Sequence, residues 1–274
     1  MSQAELEVLQ APFIATAELW SGKASEKTPS VGMFMAERLW NTLEATVLMT
    51  PAESGQNANA VLGIPWYIDD TRCANLLLSN ATLSGTFEVW HVDPERDELR
   101  LSSGYFGKWE EFKRITALTR FHLGEGLPGR VWKTGCPVLL EDLSESKAFL
   151  RAAAAQSVGL QCGLGLPVRY ASGAGVVTLL SSRTSPIGRS IDVWRMNSNS
   201  ELEHLQGLVF ATSAREHANA LFVAQRLAID AATQLAPSVL EPGSELATRA
   251  SMQCGFAWPS RDDQGVIHVA TVVG

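Results

Sequence analysis

Cysteine is sparse in this chain and never clustered. Cys73, Cys136, Cys162 and Cys254 form no Cys-x-x-Cys, so neither a disulfide framework nor a zinc knuckle is indicated, and a reducing cytoplasm is the simple inference. Positive charge is also short: 22 Lys and Arg against 29 Asp and Glu leave a net charge of −7. No basic stripe interleaves with aromatic residues, which argues against nucleic acid and anionic membranes as partners. No apolar run approaches the length of a bilayer span, and the segment from Met1 to Val8 carries two acids and no positive n-region, so no secretory leader is expected. The histidines His91, His122, His204, His217 and His268 show no metal-ligand spacing along the chain.

What is present is apolar and ordered. A chain of 274 residues, 46% hydrophobic, has room for about two domains, or three small ones, with substantial cores. One stretch, Phe121 to Leu143, dominates the pattern. Gly124, Gly126 and Gly129 permit positive φ angles, Pro128 suits the first turn of a short helix with the body Arg130-Val-Trp-Lys133, and Gly135 stops it. Pro137 opens the apolar run Val138-Leu-Leu140, read as a buried strand. Gly124-x-Gly126-x-x-Gly129 matches a dinucleotide fingerprint, with Asp142 downstream as its acid. Length excludes that reading, because Gly135-Cys-Pro137 ends the helix after roughly two turns, where a parallel crossover needs a long helix.

Elsewhere, Phe87-Glu-Val-Trp90 alternates as a half-exposed strand should, and Leu99-Arg-Leu101 is its returning partner across the turn at Asp93 to Asp97. Trp109, Phe112, Ile115 and Leu118 are assigned to one face of an amphipathic helix. Ser144 is read as the N-cap of a helix running through Phe149 to Ala155. Cys162 to Pro167 and Val176 to Ser181 form a hairpin around Ser172-Gly173.

Compared with itself, the chain shows three copies of this order. Gly63-Ile-Pro65 and Leu77-Leu-Ser79 stand 102 residues before Gly165-Leu-Pro167 and Leu179-Leu-Ser181. Ile191-Asp-Val-Trp194 restates Phe87 to Trp90; Arg38-Leu-Trp40 and, more weakly, Arg226-Leu-Ala228 match Arg130-Val-Trp132. Cys254 to Pro259 and Val266 to Thr271 restate Cys162 to Pro167 and Val176 to Ser181 with a shorter turn. Units at 1–84, 85–187 and 188–274 follow, the first and third degenerate.

The middle unit resembles the GAF domain family from end to end, through Phe87-Glu-Val-Trp90, Leu99 to Phe106, Phe121-x-x-Gly-Glu-Gly-Leu-Pro-Gly-Arg-Val-Trp132, Thr134-Gly135, Asp142-Leu143 and Gly165-Leu-Pro167. The resemblance implies an α+β fold of GAF/PAS-like antiparallel sheets flanked by helices, repeated in tandem. It further implies a small-molecule pocket between sheet and loop-helix segment, in a sensory or dimerising module rather than an enzyme. No helix of coiled-coil length is expected before or after the copies, so a signal would pass through another chain, by homodimer or protein partner. The ligand, and any cofactor, are left unidentified.

Five residues are carried forward as ligand-binding candidates on this resemblance: Tyr105, Arg130, Trp132, Asp142 and Cys162. Each has a plainer reading. Arg130 pairs with an acid, Trp132 is core like its copy Trp40, Asp142 caps a turn, Tyr105 is a half-buried strand residue, and Cys162, equivalent to Cys254, is a small buried hydrophobe. Three function classes are weighed: a cytoplasmic sensory protein binding a small molecule, a ligand-free docking scaffold, and a thiol enzyme akin to the free methionine sulfoxide reductases. The thiol class has the candidates Cys136 and Cys162, without the motif surrounding them in that branch. Bilin attachment would require a Cys-His pair, which is absent.

Overall fold

The computed structural model describes four strands before residue 85, as backbone, and then residues 85–274 apart from 107–108, 145–148, 171–172, 185, 212, 236–237, 241–243 and 253–254. Arg38 to Trp40, Cys73 and Cys254 lie outside the described residues, as do the first copy's opening strand and the side chain of Tyr105.

The early strands are β1 (Ala45–Met49), β2 (Ala60–Pro65), β3 (Tyr67–Ile68) and β4 (Leu77–Leu78), of which β1, β2 and β4 form an antiparallel sheet in the order β1-β2-β4. A larger sheet gathers β5 (Gly85–Asp93), β6 (Glu98–Tyr105), β7 (Arg120–Phe121), β8 (Val138–Leu140), β9 (Cys162–Tyr170) and β10 (Gly173–Ser181). Its order is β3-β9-β10-β5-β6-β7, with β8 sharing the outer edge of β9; only the β3 pairing is parallel. The last sheet runs β12-β11-β15-β14-β13, from β11 (Ser190–Met196), β12 (Leu202–Val209), β13 (Ser238–Val239), β14 (Gly255–Arg261) and β15 (Ile267–Val273). The helices are α1 (Glu110–Leu118), α2 (Gly126–Thr134), α3 (Ala152–Ser157), α4 (Ala214–Gln234) and α5 (Glu245–Ala250). Among the described residues, no helix is long and apolar enough to cross a membrane.

The two large sheets pack face to face. Phe87, Val89, Leu164, Leu166, Val177 and Leu179 of the first meet Ile191, Val193, Phe256, Trp258, Ala270 and Val272 of the second in one buried cluster. The Trp258 indole also donates across the junction to the Pro167 carbonyl (2.9 Å). Because strand side chains alternate, every second residue points the other way, beneath α1, α2 and α3 on one outer face and α4 on the other. The central strands of both sheets are therefore covered on both faces. This corrects the reading of Phe87-Glu-Val-Trp90 as half-exposed, since all four residues are buried.

The sheets also follow the same course. β9-β10-β5-β6 and β14-β15-β11-β12 share one order, and each carries a register shift at the same step, Val89/Trp90 and Val193/Trp194. Pro167 faces Val176 and Pro259 faces Val269, which in turn face Trp90 and Trp194. Val269, not Val266, is thus the counterpart of Val176, so the hairpin alignment moves by three residues. A near-continuous apolar run has no strict alternation to fix its register in sequence, so only the hydrogen-bond registry settles the alignment.

Local chemistry explains most of the helices. α2 starts and stops where its glycines place it: Gly124 and Gly126 have φ of 85° and 62°, and Gly135 ends the helix in the left-handed region at 65°. Gly129 has no positive φ; it is required because the His122 carbonyl oxygen occupies the space a Cβ would need. In α1 the buried pair is Phe112 and Thr116, whereas Leu118 is 68% exposed. A spacing of three falls short of the 3.6-residue turn, so the helix rotates Leu118 off the face and brings Thr116 onto it. The helix assigned from Ser144 begins only at Ala152, with Arg151 as its N-cap residue, and the Ser144 hydroxyl instead donates to Asp142.

Arg226 does not repeat the short helix of Arg130. It lies inside α4, a 21-residue helix whose buried Ala220, Ala224, Ala228, Ala231 and Ala232 let it sit close on the sheet. Ser213 caps this helix by accepting from the Glu216 amide (3.2 Å).

Candidate functional site

Glu88 is fully buried in β5, on the outer face of the first large sheet, and its carboxylate is the centre of a polar cluster. Arg151, ahead of α3, grips it with two nitrogens, Nη1 to Oε1 at 2.7 Å and Nη2 to Oε2 at 2.8 Å. Arg151 Nη1 also donates to Thr116 of α1; Thr178 of β10 donates to Glu88 Oε2 (2.7 Å); and Trp90 Nε1 reaches both Glu88 Oε2 and Thr178 (3.2 Å each). Four rings surround the guanidinium carbon, Phe112 at 5.1 Å, Phe149 at 5.3 Å, Trp90 at 5.4 Å and Phe121 at 5.7 Å. The Arg151 Nε hydrogen is buried without a partner.

The arrangement is a paired charge in an aromatic box, and five segments widely spaced in sequence, β5, α1, β7, the turn ahead of α3, and β10, meet to make it. A guanidinium fixed by a carboxylate and surrounded by rings keeps one donor, its Nε hydrogen, in a set direction.

The sequence-derived candidates do not assemble there. Arg130 is exposed on α2, and Trp132 is half-buried against the outer core that holds Leu127 and Val131. Asp142 accepts from the Ser144 amide (2.8 Å) and hydroxyl (2.6 Å), closing the turn after β8. Cys162 points into the junction between the sheets, away from α2, with its thiol against the Ser181 carbonyl (3.5 Å) and hydroxyl (3.3 Å). Burial pushes that thiol above its ordinary range. Burial first, and then the charge of Asp262, push the Cys136 thiol up to about 11. Both cysteines are therefore thiols at neutral pH.

Glu88 and Arg151 escaped the sequence reading. The signal for Glu88 was on the page, since Asp192 repeats the acid at the same place in Ile191-Asp-Val-Trp194. Arg151 carried no signal, because its partner is 63 residues away.

The second sheet keeps the acid and changes its partner. Asp192 accepts from the Ser190 hydroxyl, and its other oxygen meets His204 Nε2 at 2.8 Å, with Trp194 bonded to Thr271 (3.0 Å) as Trp90 is to Thr178. Serine and imidazole both contact the carboxylate rather than each other, so this is no nucleophile and base. Burial raises the Asp192 carboxyl pKa against the opposing pull of Ser190 and His204, with the charge of His217 adding to that pull. The folded protein therefore holds this proton longer than the unfolded chain does. Its contribution to stability is complete below the unfolded value of about 3.9 and is lost as pH rises through the raised folded value. Asp192→Asn, neutral throughout, is expected to remove this loss. Melting curves from pH 4 upward should show the variant gaining on the parent; parallel curves would contradict it.

No protein-family model matches the chain, and no curated protein matches it. Solved structures do. One is the free methionine-R-sulfoxide reductase of Neisseria meningitidis in complex with its substrate, at 22% identity over 36% of this chain and 52% of that one, with a TM-score of 0.28. A GAF domain of A. aeolicus in an inactive state matches at 19% identity over 36% and 58%, with a TM-score of 0.28. NreA of Staphylococcus aureus, mutated in its nitrate-binding site, matches at 16% identity over 39% and 78%, with a TM-score of 0.31. The chain spans little more than half the length of the first two.

Proposed function

We propose that this chain is a regulatory protein of the GAF type, non-catalytic and cytoplasmic. In this reading GAF-like units are arranged in series over 1–84, 85–187 and 188–274. The middle unit holds a small molecule on the outer face of its sheet and acts through a partner chain or a second copy of itself. The observation that carries the reading is the Glu88–Arg151 pair in its aromatic box. Buried ion pairs are a poor way to gain stability, since well-packed apolar residues of similar volume do as well or better. A polar ligand supplies a reason to keep one, and the unpartnered Arg151 Nε supplies a donor for it. The ligand class is a small molecule with a flat face and a carboxylate or carbonyl oxygen.

The loop-helix segment from Phe121 to Leu143 supports the same reading, as α2 covers the sheet beside this box. The thiol-enzyme class fits least, because neither described cysteine is poised as a thiolate. The ligand-free scaffold has one observation in its favour. A Cβ at Gly163 or Gly165 would lie 3.2 Å or less from side-chain atoms of Leu127 or Val131, so α2 sits directly on β9.

Mass spectrometry of denatured, natively purified protein separates the two readings. The ligand reading expects a stoichiometric small molecule, lost in Arg151→Lys while the fold is kept. A protein free of such a molecule, unmoved in melting temperature by a panel of small carboxylates, nucleotides and tetrapyrroles, would leave the scaffold.

A further inference from the structure

Cys136 lies in the turn between α2 and β8, and Asp262 and His268 lie on the β14–β15 hairpin of the other large sheet. The fold brings these two turns into contact. A Cβ on Gly135 would stand 3.2 Å from the Arg261 carbonyl oxygen. One ligand atom from each of Cys136, Asp262 and His268 lies within 4.8 Å of the others, at partly buried positions.

The cluster is braced. Asp262 Oδ1 accepts from the amides of Gln264 (3.0 Å) and Val266 (2.8 Å), which holds the carboxylate and leaves Oδ2 facing His268 Nε2 at 3.1 Å. The Cys136 amide is held by the Thr134 hydroxyl (3.2 Å), and its thiol donates to the Thr134 carbonyl (3.3 Å). His268 and Asp262 side chains retain 14% and 18% exposure, enough for entry from solvent. The Ser260 hydroxyl, buried without a partner, lies cross-strand from His268 on the same face of the hairpin.

We propose that Cys136, Asp262 and His268 form a binding site for a borderline divalent cation, zinc by preference, that ties the α2–β8 turn to the β14–β15 hairpin. The donor set decides the metal. One thiolate, one imidazole and one carboxylate suit zinc or cobalt, whereas magnesium and calcium take oxygen alone. Tetrahedral zinc bonds of about 2.0–2.3 Å put ligand atoms roughly 3.3–3.6 Å apart, so modest rotamer changes close the cluster onto an ion.

The Cys136 thiol proton leaves to solvent as the sulfur–metal bond forms. His268 presents the Nε2 lone pair with its proton on Nδ1, and the Nε2–Asp262 contact is exchanged for two metal bonds. Three protein ligands leave a fourth position for water, beside which Ser260 offers a hydroxyl. The site is independent of the Glu88–Arg151 box and of the GAF reading.

The test is a cobalt titration of chelator-treated, full-length protein. A single saturating equivalent with a thiolate-to-cobalt charge-transfer band is expected, displaced by zinc, with a rise in melting temperature on zinc addition. Cys136→Ser should abolish the band, and His268→Gln should weaken zinc binding by at least about tenfold, while His122→Gln changes neither. Circular dichroism verifies that each variant is folded. A titration without a saturable band, or a band that survives Cys136→Ser in folded protein, overturns the proposal.

Discussion

Arg151→Ala is expected to destabilise the protein by about 3–5 kcal/mol, because it leaves the Glu88 carboxylate buried without its counter-charge. Glu88 has no route to water: its side chain is 0% exposed, and its other neighbours are the Thr178 hydroxyl and the Trp90 indole. The guanidinium also fills the space between four rings, so truncation removes packing as well as charge. The double variant Glu88→Leu/Arg151→Met should recover most of this loss, since apolar side chains of similar volume fit a site already walled by Phe112, Phe121 and Phe149. Denaturant unfolding of parent, single and double variants measures both. A single variant within about 1 kcal/mol of the parent would mean that water or a rearranged cation reaches Glu88. If the double variant folds but no longer retains a small molecule, the pair serves binding rather than stability.

Gly129→Ala is expected to cost about 3–5 kcal/mol, as overpacking against backbone and lost hydrogen bonds act together. The obstacle is the His122 carbonyl oxygen, a main-chain atom that no rotamer change can move. Nor can the helix shift away freely. The Gly129 carbonyl accepts from the Gly124 amide (2.8 Å), and the Gly129 amide donates to the Glu125 carbonyl (2.9 Å). Gly265→Ala is the control. Its φ of 82° strains an alanine, but a Cβ there meets nothing within 4 Å, so about 1–2 kcal/mol is expected. Equal losses at the two sites, read by thermal or denaturant unfolding, would show that the tight loop yields.

The contrast between those glycines marks how far the sequence can be read. Gly124, Gly126 and Gly135 announce their role locally, because a positive φ is a property of one residue and its neighbours. Gly129 does not, since what it avoids is an atom seven residues earlier in a folded loop. The same divide runs through the site. The strand Phe87 to Trp90 and its copy at Ile191 to Trp194 were legible from pattern, but Glu88 looked solvent-facing because alternation says which residues share a face and not what covers it. Arg130, beside the glycines, drew attention by position and turned out exposed, whereas Arg151 held the buried carboxylate.

Periodicity and turn chemistry alone determined that this chain forms antiparallel hairpins, with a short glycine-bounded helix between Phe121 and Leu143. Those features depend on contacts a few residues long. Tertiary structure decided that two sheets pack face to face, that Cys162 faces that junction and not a pocket, and that Cys136 meets His268 across it. The reason is physical: apolar faces are interchangeable in what they will bury against, so only the packed molecule selects among partners.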